Sequence, residues 1–120
     1  MVHCIRTIYG ALRHSWFYGM ISHMKARARR IFYDKLFYPD GAVLEMTIWL
    51  VPSPVQGSRH TLKYSLFYGV DGRRLVGYDN ERGKGDHRHI DHQETRYRFT
   101  TPERLVEDFL TDVAIYRGET

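Results

Sequence analysis

The residues best suited to chemistry lie close together in residues 78–92, which read YDNERGKGDHRHIDH. This segment combines three histidines with acids, bases and glycines, and almost none of it could line a hydrophobic core. His87 and His89 are two residues apart, so both imidazoles lie on one side of an extended chain. Because histidine titrates near neutral pH, the segment is the first candidate for proton-transfer chemistry.

One interpretation of this segment is metal-independent cleavage of a phosphodiester. That reaction requires a base for the 2′-hydroxyl proton, an acid for the leaving oxygen and positive charge beside the phosphate. We take His87, His89 and Asp79 as the candidate catalytic residues, and we assign no cofactor. Gly83 and Gly85 would let backbone amides approach the same phosphate. The neighbouring cations predicted to bind the nucleic acid are Arg82, Lys84 and Arg88.

Two other interpretations of residues 78–92 stay open. In the first, His87 and His89 bind zinc or a similar ion, and the shell is completed by His92, Asp86 or Asp91. Zinc sites usually draw ligands from separated segments, and the sequence offers no second cluster, so we assign no metal. In the second interpretation, the segment is a solvated loop in which charges of opposite sign satisfy one another.

Composition narrows the class of protein. A chain of 120 residues predicts one domain, and 42% hydrophobic residues predict a folded one. The formal net charge of +4 would attract phosphate backbones or an acidic protein partner, although an ordinary basic soluble protein can have the same total. The single cysteine excludes a disulfide framework within the chain and fits a reducing cytoplasm. No apolar run reaches the ~18 residues that a membrane span needs.

The elements that must position the candidate site are strands followed by one helix. Residues 27–38, 42–51, 60–70, 73–80 and 96–100 have the alternation or aromatic content of strands, and Pro39-Asp40-Gly41 and Asp71-Gly72 are turn sequences. A Thr-Thr-Pro-Glu start and an apolar stripe predict a helix from about residue 102 to Gly118. The apolar helix residues are Leu105, Phe109, Val113 and Tyr116. Together these elements predict an α+β fold, an antiparallel meander sheet of about five strands with the C-terminal helix packed on one face.

The beginning of the chain raises two further questions. Arg27, Arg29 and Arg30 could form a phosphate track along the first strand, or they could simply be a solvated strand edge. Residues 1–23 contain no acid, and we interpret them as an N-terminal extension that is weakly ordered or forms a short helix. The domain proper is then predicted to cover residues 24–120, and the true translation start stays open.

Three stretches of the chain together resemble the TumE family of bacterial toxin–antitoxin components. They read DGAVLEMTIWLVPSPVQGSRHTLKYSL, YDNERGKGDHRHI and YRFTTPERLVEDFLTDV. The resemblance covers about residues 25–117 and does not include residues 1–23. It implies a toxin that is neutralised by a cognate antitoxin with a helix-turn-helix domain, and it leaves the toxic mechanism open.

The residues and the resemblance together favour the toxin of a type II toxin–antitoxin system. We expect it to act on nucleic acid in the cytoplasm as a small metal-independent endoribonuclease, without contact with a membrane. The alternative is a non-catalytic DNA- or RNA-binding protein, for which a homodimer is one arrangement. A third interpretation is a protein-interaction module whose target is not nucleic acid.

Overall fold

Alternation of apolar and polar residues sets the architecture, because it gives the sheet one face to bury. The structure, a computed structural model, describes residues 27–119 of the chain. Along Ala42–Leu50, buried residues alternate with half-buried ones, and Leu62–Val70 follows a similar pattern. In the described range the elements are β1 Arg29–Phe37, β2 Ala42–Leu50, β3 Leu62–Val70, β4 Arg73–Glu81, β5 Gly85–Ile90, β6 Gln93–Arg96 and α1 Pro102–Arg117.

The strands lie in the sheet in their order along the chain, and each is antiparallel to the next. Tight turns make this order possible. Asp71 and Gly72 both have positive φ, 53° and 75°, as a type I′ hairpin turn requires. The predicted α+β class is confirmed, since an antiparallel meander carries the C-terminal helix on one face.

Within residues 27–119 the sheet has six strands where about five were predicted, and the additional strand comes from the histidine-rich segment itself. β4 and β5 form a hairpin whose turn covers residues 82–84. β6 covers Gln93–Arg96, whereas the predicted last strand covered residues 96–100. β5 and β6 contain few of the β-branched and aromatic residues that favour strands. Hydrogen bonds to the neighbouring strands therefore decide their conformation, rather than local propensity.

Helix α1 has the termini that the sequence predicts. The Thr101 hydroxyl accepts a hydrogen bond from the Arg104 amide, and Gly118 ends the helix with a left-handed φ of 73°. The helix packs across β3 and β4. Tyr116, predicted on the apolar stripe, is 38% exposed, and its hydroxyl donates to Asp91. The buried helix residues are Leu105, Val106, Phe109, Leu110 and Val113.

The sheet therefore has two different faces. The helix face carries the core, including Leu44, Met46, Leu66 and Val76, all of which are fully buried. The open face lies on the other side and carries the intervening residues. One row of neighbours crosses the open face from β2 to β6: Thr47, Ser65, Asp79, His87 and Arg96.

The predicted extension, residues 1–23, lies outside the described residues, and so does the predicted domain boundary at residue 24. The described chain begins at Arg27, just before β1.

Candidate functional site

The β4–β5 hairpin brings the predicted catalytic residues together on the open face. Asp79 lies directly opposite His87 in the strand ladder, and His89 lies two residues further along β5. The period of two along β5 gives both imidazoles the same side of the sheet. Residues that are eight to ten positions apart in sequence therefore become neighbours in space.

His89 is held at both ring nitrogens. Arg74 Nη2 donates to His89 Nδ1 over 3.0 Å, and His89 Nε2 lies 3.4 Å from Asp79 Oδ1. A guanidinium can only donate, so Nδ1 must accept and the neutral ring carries its proton on Nε2, facing Asp79. Arg74 Nη1 also lies 3.5 Å from the second oxygen of Asp79. His89 is buried, with 8% of its surface exposed, and both of its ring nitrogens already have partners within this trio.

His87 has the opposite tautomer. Its Nδ1 lies 3.0 Å from the carbonyl oxygen of Gly85, and a carbonyl can only accept. The neutral ring therefore carries its proton on Nδ1 and has a lone pair on Nε2. The nearest acid, Glu94 Oε1, is 3.8 Å from that nitrogen, beyond hydrogen-bond distance. Of the two histidines, His87 is the one with a nitrogen ready to accept a proton.

Arg88, predicted to bind nucleic acid, lies on the helix face, because it alternates with His87 and His89 along β5. Its guanidinium makes two hydrogen bonds to the Asp112 carboxylate, of 2.7 and 3.0 Å, and one to the Tyr78 hydroxyl. These bonds raise the pKa of Arg88 above its usual range. The structure places this side chain between the sheet and the helix rather than beside the histidines.

The cations of the hairpin turn are exposed and lie past the ends of β4 and β5. Lys84 Nζ is 3.9 Å from a Glu81 oxygen, and Arg82 Nε is 3.5 Å from the Gln56 side chain. The Gly83 amide donates to the backbone carbonyl of Gln56 over 2.7 Å, so this amide already has a partner.

The three arginines of the predicted phosphate track do not share one face of the sheet. Arg30 lies opposite Trp49 on the open face, with its guanidinium 4.6 Å from the Tyr33 ring centroid and 5.8 Å from the Trp49 ring centroid. Arg29 lies opposite Leu50, and Arg27 precedes β1. Only Arg30 of the three is therefore directed by the ladder toward the face that carries His87.

Sequence reasoning missed several residues around His87. Arg74 bonds to both His89 and Asp79, and Arg96 lies opposite His87 on β6. Counting forward from the Asp71-Gly72 turn would place Arg74 and Asp79, five residues apart, on opposite faces, but a bulge between Tyr68 and Gly69 shifts the register and brings both to the open face. Next to Asp79, the open face has a shallow depression of about 400 Å³. The side chains that line it include Thr47, Trp49, Lys63, Ser65, Asp79 and Glu81.

A second polar cluster lies behind the site, on the helix side of the hairpin. The Asp86 carboxylate accepts hydrogen bonds from Ser58 (2.5 Å), His60 (2.7 Å) and Tyr64 (2.7 Å). Burial alone would raise the pKa of Asp86, but these three hydrogen bonds outweigh burial and lower it. The Leu62 amide donates to the other nitrogen of His60, so neither nitrogen of that ring is free. This cluster anchors the 51–61 loop to β5 and offers no free base.

The geometry of the described residues also bears on the metal alternative and on membrane spans. No three or more histidine, cysteine or acidic side chains within residues 27–119 converge on a point where they could hold a metal ion. His92, one of the alternative ligands, lies in the β5–β6 turn, and Asp86 belongs to the cluster behind the sheet. The described helix is also too short and too polar to cross a membrane.

The class of protein follows from comparison of the whole chain with known families. The sequence profile of the family described as Toxin TumE matches residues 21–117, which include every strand and helix that the structure describes. The chain therefore belongs to the TumE toxin family, and the resemblance seen in the sequence is confirmed. No curated protein and no solved structure was found to match the chain.

Proposed function

We propose that this toxin acts by cutting RNA on the open face of its sheet, with His87 as the general base. The observation that carries the proposal is the tautomer of His87. Its Nδ1 proton is held by the Gly85 carbonyl, which leaves a lone pair on Nε2 at a nitrogen that is not hydrogen-bonded. A base held in one tautomer by a backbone carbonyl is what proton abstraction from a 2′-hydroxyl needs.

The proposed reaction transfers two protons. His87 Nε2 takes the proton of the 2′-hydroxyl, the 2′ oxygen forms a bond to phosphorus, and the bond from phosphorus to the 5′ oxygen breaks. The leaving 5′ oxygen takes its proton from His89 in its imidazolium form. That form requires Arg74 to move away from Nδ1, and a bound phosphate competes for Arg74 in this way. Asp79 then stabilises the imidazolium through Nε2.

Positive charge for the phosphate comes from the same face. Arg74 is 41% exposed, and Arg96 lies beside His87 at the edge of the sheet. Arg88 has no direct role in this proposal, because it is bonded to Asp112 on the other side. Two cations beside a developing phosphorane charge are the electrostatic contribution that metal-independent phosphoryl transfer requires.

Purified protein incubated with single-stranded RNA tests the proposal directly. We expect cleavage that persists in a chelator and leaves products ending in a cyclic 2′,3′-phosphate. RNA whose 2′-hydroxyls are methylated should stay intact, since the attacking oxygen is blocked. RNA that is bound but stays intact in every condition would overturn the ribonuclease proposal.

The second candidate function is a non-catalytic nucleic-acid-binding toxin. It is favoured by the cations of the open face, because the side chains of Lys63 and Arg96 form no hydrogen bond or ion pair with other residues that the structure describes. Such a protein would inhibit growth equally well with His87 changed to alanine. Comparing the toxicity of wild type and His87→Ala at equal expression therefore separates the two functions.

Membership of a toxin family also supports a protein partner that neutralises the chain. We propose a cognate antitoxin with a helix-turn-helix domain, encoded beside this gene. Co-expression of that antitoxin should restore growth, and the antitoxin should co-purify with this chain. Growth inhibition that the neighbour does not relieve would contradict the pairing.

A further inference from the structure

The shallow depression on the open face has the composition of a nucleotide-binding surface. It lies across β2, β3 and β4 and shares Asp79 with the candidate catalytic site. Trp49 supplies an aromatic ring, Lys63 supplies a cation, and Thr47 and Ser65 supply hydroxyls. The depression and the histidines are therefore two parts of one continuous surface.

Trp49 is the aromatic side chain that lines the depression from β2. Its neighbours across the sheet are Arg30 on β1 and Lys63 on β3. It belongs to the open face, where none of the helix residues packs, and it is only half-buried. The Arg30 guanidinium lies closer to Tyr33 than to Trp49, at 4.6 Å against 5.8 Å from the ring centroids. A flat ring between two cations is a favourable place for a base to stack beside its phosphates.

Polar groups around the ring are available for hydrogen bonds. The ammonium group of Lys63 makes no hydrogen bond or ion pair with residues 27–119, and the same holds for the hydroxyl groups of Thr47 and Ser65. Ser65 lies between Thr47 and Asp79 in the row that leads to His87. A base on Trp49 would thus have donors and acceptors beside it, on the side toward the proposed cleavage site.

We propose that this depression is a subsite for an unpaired nucleobase of single-stranded RNA, which stacks on Trp49. The proposal deepens the proposed function, on which it rests, by naming the form of the substrate. A duplex is excluded because paired bases hide their faces within the stack. β2 and β5 are three strand spacings apart, roughly 14 Å at ~4.8 Å per strand, so the substrate is a strand of several nucleotides.

Binding can be measured separately from cleavage in the His87→Ala background. The only other tryptophan, Trp16, is changed to phenylalanine so that fluorescence reports Trp49 alone. A single-stranded oligoribonucleotide should quench this fluorescence to saturation, and the same strand annealed to its complement should not. In fluorescence anisotropy with labelled RNA, Trp49→Ala should weaken binding about 5- to 150-fold, the range expected for loss of one stacked base.

Two further variants make the result decisive. Trp49→Phe preserves a stacking ring and should keep most of the affinity. Tyr116→Ala removes a partly exposed aromatic ring from the helix, away from the open face, and should leave affinity unchanged. Unchanged binding by folded Trp49→Ala would overturn the subsite, whether or not the wild type cleaves RNA. RNA that quenches Trp49 but is never cleaved by the wild type would leave the subsite standing and overturn the ribonuclease alone.

Discussion

Consecutive residues of β5 make contacts on different faces of the sheet, because a strand directs alternate side chains to opposite sides. Asp86 and Arg88 bond to the loop and to the helix, whereas His87 and His89 lie on the open face. The cluster around Asp86 and the pair of Arg88 with Asp112 hold the strand from behind. The two histidines are therefore positioned by polar contacts on both sides of the same strand.

The two histidines should respond differently to substitution. His87→Ala removes the proposed base and should lower the rate of RNA cleavage by about 10²–10⁴-fold, with folding preserved. His89→Ala removes the proposed acid, but Arg74 and Asp79 stay on the open face and can bind each other. We therefore expect the rate of RNA cleavage to fall less than it does in His87→Ala. The measurement is single-turnover cleavage at saturating enzyme. Equal activity of wild type and His87→Ala would assign the base elsewhere.

Asp86 should make the protein sensitive to acid. Its pKa is lowered in the folded state by His60, Ser58 and Tyr64, so the unfolded chain binds a proton more readily. The stabilisation by Asp86 is therefore fully present above the ordinary aspartate pKa of about 4 and is lost as the pH falls below it. Thermal unfolding between about pH 3 and about pH 7 should show a steeper acid loss of stability for wild type than for Asp86→Asn. Parallel curves for the two proteins would contradict this role.

At the scale of elements, the hydrophobic pattern was sufficient for β1 to β4 and for α1. Alternation in β2 and β3 and the caps at Thr101 and Gly118 have purely local causes, so they could be read from the sequence. β5 and β6 could not, since their conformation depends on hydrogen bonds to neighbouring strands. The sequence suggested His87, His89 and Asp79 as a group. It could not assign a face to Arg88 or a contact to Arg74, because both depend on how neighbouring strands pair.

Helix α1 should depend strongly on Phe109, which is fully buried against the sheet and makes an edge contact with Tyr78. Phe109→Ala should lower the free energy of unfolding by about 3–5 kcal/mol, because it removes a large side chain and leaves a cavity. Denaturant titration followed by circular dichroism measures this loss. Ile115→Ala, at a helix position that is 59% exposed, is the matched control and should stay within about 0.5 kcal/mol.

Arg88 and Asp112 should behave as one structural unit that joins the sheet to the helix. Single substitutions Arg88→Ala and Asp112→Ala should each destabilise the protein, and the double variant should lose less than the sum. We expect a coupling on the order of 1 kcal/mol in a double-mutant cycle of denaturant unfolding. If the two substitutions were additive in the free energy of unfolding, and Arg88→Ala but not Asp112→Ala lost RNA affinity, the pairing would be contradicted. Those results would favour the contact between Arg88 and a nucleic-acid phosphate that the sequence suggested.

At the scale of the whole molecule, the distribution of charge matters more than its total. The net charge of +4 is modest, but the open face places Arg30 and Lys63 beside Trp49 and Arg96 beside His87, with the acids Asp79 and Glu94 between and next to them. Other cations are already occupied, for example Arg117, which is paired with Asp40 and Glu119. A phosphate backbone should therefore be attracted to one side of the sheet.

The salt dependence of RNA binding tests this asymmetry. Each phosphate contact on a single strand contributes about −0.7 to the slope of log K against log salt. Changing Lys63 and Arg96 to glutamine in the His87→Ala background should therefore make the slope about 1.4 less steep. The charge-matched control changes Arg73, which lies beside Tyr116, and Arg104, which is exposed on the helix, and its slope should equal that of the parent. Equal slopes for all three proteins would mean that RNA binds another face, and the open face would lose its role as the nucleic-acid interface.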